Sequence, residues 1–174
     1  MKQTTILAEK ILYQDDYTKV VKLKLRKPDG KNIVRVKMEK RPFVVIVPID
    51  EKGNVLLCRE FRSTLQKTVW MVPAGFIDQN ESSKQAARRE LLEETNFKVK
   101  RLTPLYQLTG NSEYQQQGFA FLATQLTKID GKSELQITPT DFNKTKKMAL
   151  KNKLGDRIGL IVVAAIEKYK EIIK

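Results

Sequence analysis

The chain has 174 residues, 41% of them apolar, with 33 Lys and Arg against 20 Asp and Glu, no histidine, one cysteine and a formal charge of +13. That size and apolar content fit one ordinary globular domain with room for a small appended lobe. Cys/His zinc sites and disulfide frameworks are excluded; the longest apolar runs, such as Phe43 to Ile49 and Ile158 to Ile166, are too short to cross a bilayer, and no charged-then-apolar leader is present, so a cytoplasmic chain without membrane contact is expected.

From the N-terminus, Val21, Leu23 and Leu25 alternate along one strand, Pro28-Asp29-Gly30 turns the chain, and Val34, Val36 and Met38 alternate along the return. This predicts a hairpin within residues 1–40 with one buried face, long enough to pack on a partner subunit as well as on its own domain. Phe43 to Ile49 reads as a fully buried strand, Asp50 to Asn54 as a turn, and Val55 to Phe61 as the next strand, in which Cys58 is a small packed hydrophobe. Val69 to Ala74 is a short apolar strand leading into Gly75. Ser82-x-x-Gln85 is a capping box, and Ala86, Ala87, Leu91 and Leu92 form the inward stripe of the helix it opens. Leu102 to Leu108 and Phe119 to Leu126 are two more strands, joined by the polar stretch Thr109 to Gly118. Thr138-Pro139-x-Asp141 predicts a helix start with proline at the first helical position, and Gly155-Asp156 precedes a last amphipathic helix ending near Ile173. Strands flanked by a central and a terminal helix predict an α/β/α layered domain.

One segment carries chemistry: Gly75-x5-Glu81-x7-Arg89-Glu90-Leu91-x-Glu93-Glu94-x-Asn96-Phe97. At about 100° per residue, Glu90 and Glu94 stand one above the other on a helix face, with Glu93 on the adjoining stripe. Like charges at that spacing repel by a few tenths of a kcal/mol, so crowding them gains nothing unless a cation sits among them. Hard oxygen donors without cysteine or histidine suit Mg²⁺, with Mn²⁺ as the substitute, and Mg²⁺ takes one or two carboxylates together with phosphate oxygens and waters. Asn96 closes the helix where a left-handed residue is needed, which asparagine tolerates.

This segment resembles the Nudix box, differing at Asn96, where that family has glycine. Over nearly its full length the chain is similar to the ADP-ribose pyrophosphatase branch. The segments that carry this likeness are the N-terminal hairpin, Arg59-Glu60-Phe61-Arg62, Val72-Pro73-Ala74-Gly75, Thr109-Gly110-Asn111-Ser112-Glu113 and Gly155-Asp156. The resemblance implies an α/β fold, a Nudix-type α/β/α sandwich with a mixed sheet. Residues 1–40 would be an antiparallel hairpin lobe for dimerisation and base binding, and 41–174 the hydrolase domain. It implies hydrolysis of the diphosphate bridge of ADP-ribose or a related nucleoside diphosphate sugar, giving AMP, or another nucleoside monophosphate, and a sugar phosphate.

Glu90 and Glu94 would be the principal metal ligands with the backbone carbonyl of Ala74, Glu93 a further ligand or water-orienting group, and Arg89 the residue that holds the glutamates, paired with Glu81. Without histidine, the base is a carboxylate or a metal-bound hydroxide. Glu134 matches the branch's loop glutamate, and Glu113 competes for that role. Arg62 and Arg41 would reach the diphosphate, Gly110 would border the substrate, Tyr17 would stack on adenine, and Arg35 would lie on the base from the partner subunit of a homodimer. Thr109 stands where the branch often has proline. Lysines scattered from Lys2 to Lys174, without a stacking surface, argue against a dedicated nucleic-acid interface. Dinucleoside polyphosphates or RNA 5′ ends as substrates, and a non-cleaving Nudix module that binds nucleotide or RNA, are the alternatives.

Overall fold

A computed structural model describes residues 3–155 and 158–173. The chain forms two compact units, Met1–Pro42 with Leu108–Gly118, and Phe43–Gln107 with Phe119–Lys174.

In the first unit, strands β1 (Thr5–Gln14), β2 (Thr18–Arg26) and β3 (Asn32–Lys40) form an antiparallel meander. A two-residue strand, β9 (Tyr114–Gln115), adds to β3 in parallel, which makes the sheet mixed. The turn between β2 and β3 is the one the sequence predicts. Gly30 adopts φ +86°, and Asp29 Oδ1 accepts from the backbone N–H of Lys31 at 2.9 Å. Two features depart from the expected hairpin. The first is β1 itself, which sequence alternation does not reveal because register shifts between Ile6 and Ala8 and between Ile11 and Tyr13 break the period of two. The second is the single buried face. Register sets Leu25 opposite Ile33 and Leu23 opposite Arg35, whereas Val34 and Val36 face Lys24 and Lys22. Direct partners share a face, so Val34 and Val36 lie on the opposite face from Val21, Leu23 and Leu25, and both are exposed.

The second unit contains two sheets, in the orders β7-β4-β10-β8 and β11-β5-β6. Their strands are β4 (Phe43–Pro48), β5 (Val55–Arg62), β6 (Lys67–Met71), β7 (Ala74–Phe76), β8 (Phe97–Thr109), β10 (Gln117–Lys128) and β11 (Gln136–Thr140). Helices α1 (Ser83–Thr95), α2 (Phe142–Leu150) and α3 (Ile158–Ile172) complete it. Strand β4 is buried almost throughout. Val44 and Ile46 pack in one cluster with Ala86, Ala87 and Leu91 of α1 and with Val99, Phe121 and Ala123. Val45 and Val47 alternate to the other face of the strand and are also buried. Helix α3 contacts β4 and buries Ile161, Val162, Ala165 and Ile166. Among the described residues the fold is α/β, as the sequence predicts, with three sheets and three α-helices.

The expected run Val69 to Ala74 is divided. Strand β6 pairs with β5, β7 pairs with β4, and Pro73 lies between them, its carbonyl accepting from the N–H of Ile46 at 2.8 Å. Pro139 does not open a helix. It lies in β11 opposite Leu56, on the edge of its sheet, where a missing N–H is tolerated. The cap of α2 is Asp141, whose carboxylate accepts from the N–H of Lys144 at 2.9 Å. Gly155 precedes α3 as expected, and Asp156 lies outside the described residues.

Candidate active site

The turn into α1 is built by its own sequence. Ser82 and Gln85 form the reciprocal capping box, so two orphan N–H groups are satisfied before the first helical turn ends. At the other end, Asn96 takes φ 57°, ψ 29°, and its N–H donates to the carbonyl of Leu92. Asparagine therefore closes this helix in the left-handed conformation that glycine more commonly supplies.

Gly75 is fixed by its neighbour. A Cβ at that position would lie 2.0 Å from the carboxyl carbon of Glu90, so the helix carboxylate packs directly against the bare backbone of β7. One residue earlier, the N–H of Ala74 donates to Glu94 Oε2 at 3.3 Å. Two helix glutamates are thus drawn onto the end of a strand.

Arg89 organises the opposite side. Its Nε and Nη2 donate to the two oxygens of Glu81 at 3.1 and 2.9 Å, Nη1 donates to Glu90 at 2.7 Å and to Glu93 at 3.2 Å, and Nη2 also reaches the carbonyl of Phe76 at 2.9 Å. Asp78 stands 3.8 Å from the same nitrogen. This bidentate, charge-assisted geometry needs the planar fork of arginine. The Phe76 carbonyl and Asp78 escape sequence reasoning because a backbone acceptor leaves no mark in residue types and Asp78 reads as an ordinary turn residue.

Electrostatics separate the carboxylates. Arg89 holds Glu81 below the usual carboxylate range. Burial pushes Glu90 up against the opposing pull of Arg89. Burial, reinforced by the negative charge of Glu90, pushes Glu94 up to about 8. Glu90 and Glu94 are thus a close, partly desolvated pair of like charges, which is the condition that favours either a shared proton or a cation. Glu93 differs, with a side chain 48% exposed against 13% for Glu90. Among the described residues, no three Asp, Glu or Cys side chains gather closely enough to hold a metal ion by themselves.

Glu134 lies in the loop between β10 and β11, which is tied to the C-terminal end of α1. The N–H of Ile129 donates to the carbonyl of Asn96 at 2.9 Å, and that of Leu135 to the carbonyl of Glu94 at 3.1 Å. The charge of Glu134 contributes to the raised pKa of Glu94. Glu113, in the first unit, is paired with Arg35 at 3.7 Å. In that unit the Arg41 guanidinium also lies 5.4 Å from the ring centroid of Tyr17. Gly110 borders a cavity of about 370 Å³ with Glu39, Lys40 and Asn111, and a Cβ there would strike the carbonyl oxygen of Tyr114 at 1.8 Å, so close backbone packing explains the glycine. In the second unit, Arg62 pairs with Glu60 at 3.1 Å and touches the sulfur of Met71 at 3.3 Å. Cys58 is buried and its thiol is pushed up by that burial, as befits an inert packed side chain.

Comparison with known proteins agrees with this geometry. The model of the NUDIX domain matches residues 39–148. The chain is 30% identical over 144 residues to an ADP-ribose pyrophosphatase of Bacillus subtilis, covering 78% of this chain and 73% of that protein. It is 28% identical over 120 residues to an ADP-ribose pyrophosphatase of Mycobacterium tuberculosis, covering 68% and 58%. An RNA pyrophosphohydrolase of Wolbachia pipientis wMel is 30% identical over 155 residues, covering 82% and 90%. Among solved structures, the crystal structure of an ADP compounds hydrolase superposes with a TM-score of 0.79 at 24% identity, over 99% of this chain and 95% of that one, which establishes a common fold. With more than half of its length matched by the family model, the chain belongs to the Nudix hydrolase family.

Proposed function

We propose that this Nudix pyrophosphohydrolase cleaves the diphosphate bridge of ADP-ribose or a related nucleoside diphosphate sugar, giving a nucleoside monophosphate and a sugar phosphate. The observation that carries this reading is the Glu90–Glu94 pair, packed on Gly75 and Ala74 and flanked by the Arg89 network. The two ADP-ribose pyrophosphatase relatives support the substrate class.

The family generally uses divalent metal ions, and the donor set fits one. Two neighbouring carboxylates held against each other's charge suit Mg²⁺, or Mn²⁺ in its place, which fills the rest of its shell with phosphate oxygens and waters. That accords with the lack, among the described residues, of any three-carboxylate cage. Glu90 and Glu94, with the Ala74 carbonyl, are the proposed ligands, and Glu93 a further ligand or water-orienting group. When bound, the ion supplies charge stabilisation to the phosphoryl oxygens. The chain's own part is positioning. Arg89 holds Glu90 and Glu93 in place, and Glu134, on a loop tied to the carbonyl of Glu94, is the proposed base, ahead of Glu113. Arg62 and Arg41 are proposed to hold the diphosphate, Gly110 to border the substrate, and Tyr17 to stack on adenine. Arg35 is proposed to contact the base across a homodimer formed through the N-terminal meander.

An RNA 5′ end is the second reading, favoured by the RNA pyrophosphohydrolase that aligns along most of both chains and by the charge of +13. One assay decides between them: release of AMP or pyrophosphate from ADP-ribose, sugar nucleotides, dinucleoside polyphosphates and 5′-triphosphate RNA, with and without Mg²⁺. Mg²⁺-dependent AMP release from ADP-ribose, lowered about 10²–10³-fold in Glu94→Gln, is the expected result. Exclusive turnover of RNA ends moves the assignment to the second reading, and undiminished turnover by Glu94→Gln removes the proposed site.

A further inference from the structure

Beside Ala74, in the second unit, lies a cleft of about 590 Å³. Besides Arg62 and Ala74, its walls include Phe43 of β4, Lys67, Val69 and Met71 of β6 with the backbone of Trp70, and Lys153 and Leu154 of the segment between α2 and α3. Its volume is that of a small-molecule site and far exceeds one phosphate. Every ionisable side chain lining it is cationic, namely Arg62, Lys67 and Lys153. Among the described residues, neither Lys67 nor Lys153 enters an ion pair with an acidic side chain.

The walls are held in place and connected to the carboxylates. The N–H of Gly155 donates to the carbonyl of Trp70 at 2.8 Å and Leu154 bridges Trp70, which locks the two sides of the cleft together. On another side, the N–H of Ala74 is the group bonded to Glu94. A ligand in this cleft therefore meets apolar side chains, three cations, of which Arg62 is shared with Glu60, and a wall bonded to Glu94.

We propose that this cleft receives one phosphorylated half of the substrate, its phosphate held by Arg62, Lys67 and Lys153 and its sugar or base resting on Phe43, Val69 and Met71, the last two on the same face of β6 as Lys67. The proposal rests on the pyrophosphohydrolase reading for the choice of ligand, yet binding to the cleft is measurable without turnover. Trp70 is the only tryptophan in the chain, its carbonyl is bonded across the cleft wall to Gly155 and its ring lies under Arg59, so its fluorescence follows the wall and is read beside calorimetry.

The test is a titration of the metal-free protein with AMP, with ribose 5-phosphate, and with adenosine and ribose as phosphate-free controls, read by Trp70 fluorescence and by calorimetry. A saturable response to a phosphate ester is expected, absent with the controls, and weakened about tenfold or more in Lys67→Ala/Lys153→Ala. A response to AMP alone gives the cleft to the nucleotide half, and one to ribose 5-phosphate alone gives it to the sugar half. In turnover, the same double variant is expected to raise KM about tenfold with kcat little changed. No binding by either method, or binding and KM both unchanged in the double variant, overturns the proposal. If binding is found as expected but no diphosphate is hydrolysed, the cleft stands and the proposed reaction falls; if hydrolysis proceeds with the lysines irrelevant, the reverse holds.

Discussion

The two units hold their charged residues in contrasting ways. In the first, Arg35 meets Glu113 at 3.7 Å with both side chains more than half exposed, and Arg41 lies over Tyr17 on an exposed turn. The Arg35–Glu113 contact is long and solvated, worth about 0–1 kcal/mol. In the second, Arg89 satisfies three glutamates and a backbone carbonyl at once, and Gly75 leaves no space between strand and helix. Side chains held at short distance by several charged partners keep one geometry, as chemistry on phosphorus requires, whereas an exposed, long ion pair suits recognition that rearranges on binding.

Substitutions test this contrast. Arg89→Met is expected to have the largest effect, because it strips a shared donor from Glu81, Glu90 and Glu93. A loss of about 2–4 kcal/mol in denaturant unfolding is expected, with activity falling at least 10²-fold. A change below about 0.5 kcal/mol would show that the network is as dispensable as the surface pairs.

Gly75→Ala comes next. Its Cβ must displace the Glu90 carboxyl, so an overpacking cost of about 1–3 kcal/mol is expected, with weaker Mg²⁺ binding by calorimetry. Unaltered metal affinity would show that Glu90 can move freely.

The pH response of the metal-free protein is a smaller effect. Glu94 has a folded pKa of about 8 against an ordinary 4.5, so between these values the folded state retains a proton that the unfolded chain releases. Its contribution to stability is therefore present at low pH and declines as pH rises through that window. Thermal unfolding from pH 5 to 8.5 is expected to show a decline that Glu94→Gln flattens and saturating Mg²⁺ opposes. An equal decline in the variant would assign it to other groups.

Tyr17→Ala is expected to have the least effect on the fold, within about 0.5 kcal/mol in stability, while raising KM for ADP-ribose several-fold. A stability loss above 1 kcal/mol would erase the distinction between the units.

The helix from Ser83 to Thr95 could be read from the chain alone because its determinants are local. A capping serine and glutamine, a stripe of small apolar residues and a residue able to turn left-handed act within a few positions of one another. The convergence of Glu90 with Glu94 follows from helical pitch in the same way. Strand β1 was not legible, since two register shifts hide its alternation, and the face assignment of Val34 and Val36 depended on pairing with Lys24 and Lys22 across a turn. Pro139 misled because the same dipeptide can open a helix or occupy a sheet edge, and only the partner strand decides.

The sequence by itself therefore determined the family and the glutamate-bearing helix from Ser83 to Thr95, both written in short-range spacing. Tertiary structure alone decided that Glu94 bonds Ala74, that a loop glutamate is brought under the influence of Glu94, and that Trp70, Lys67 and Lys153 share one cleft. Those relations join residues distant in the chain, and their energies arise from burial and charge proximity, which residue spacing does not encode.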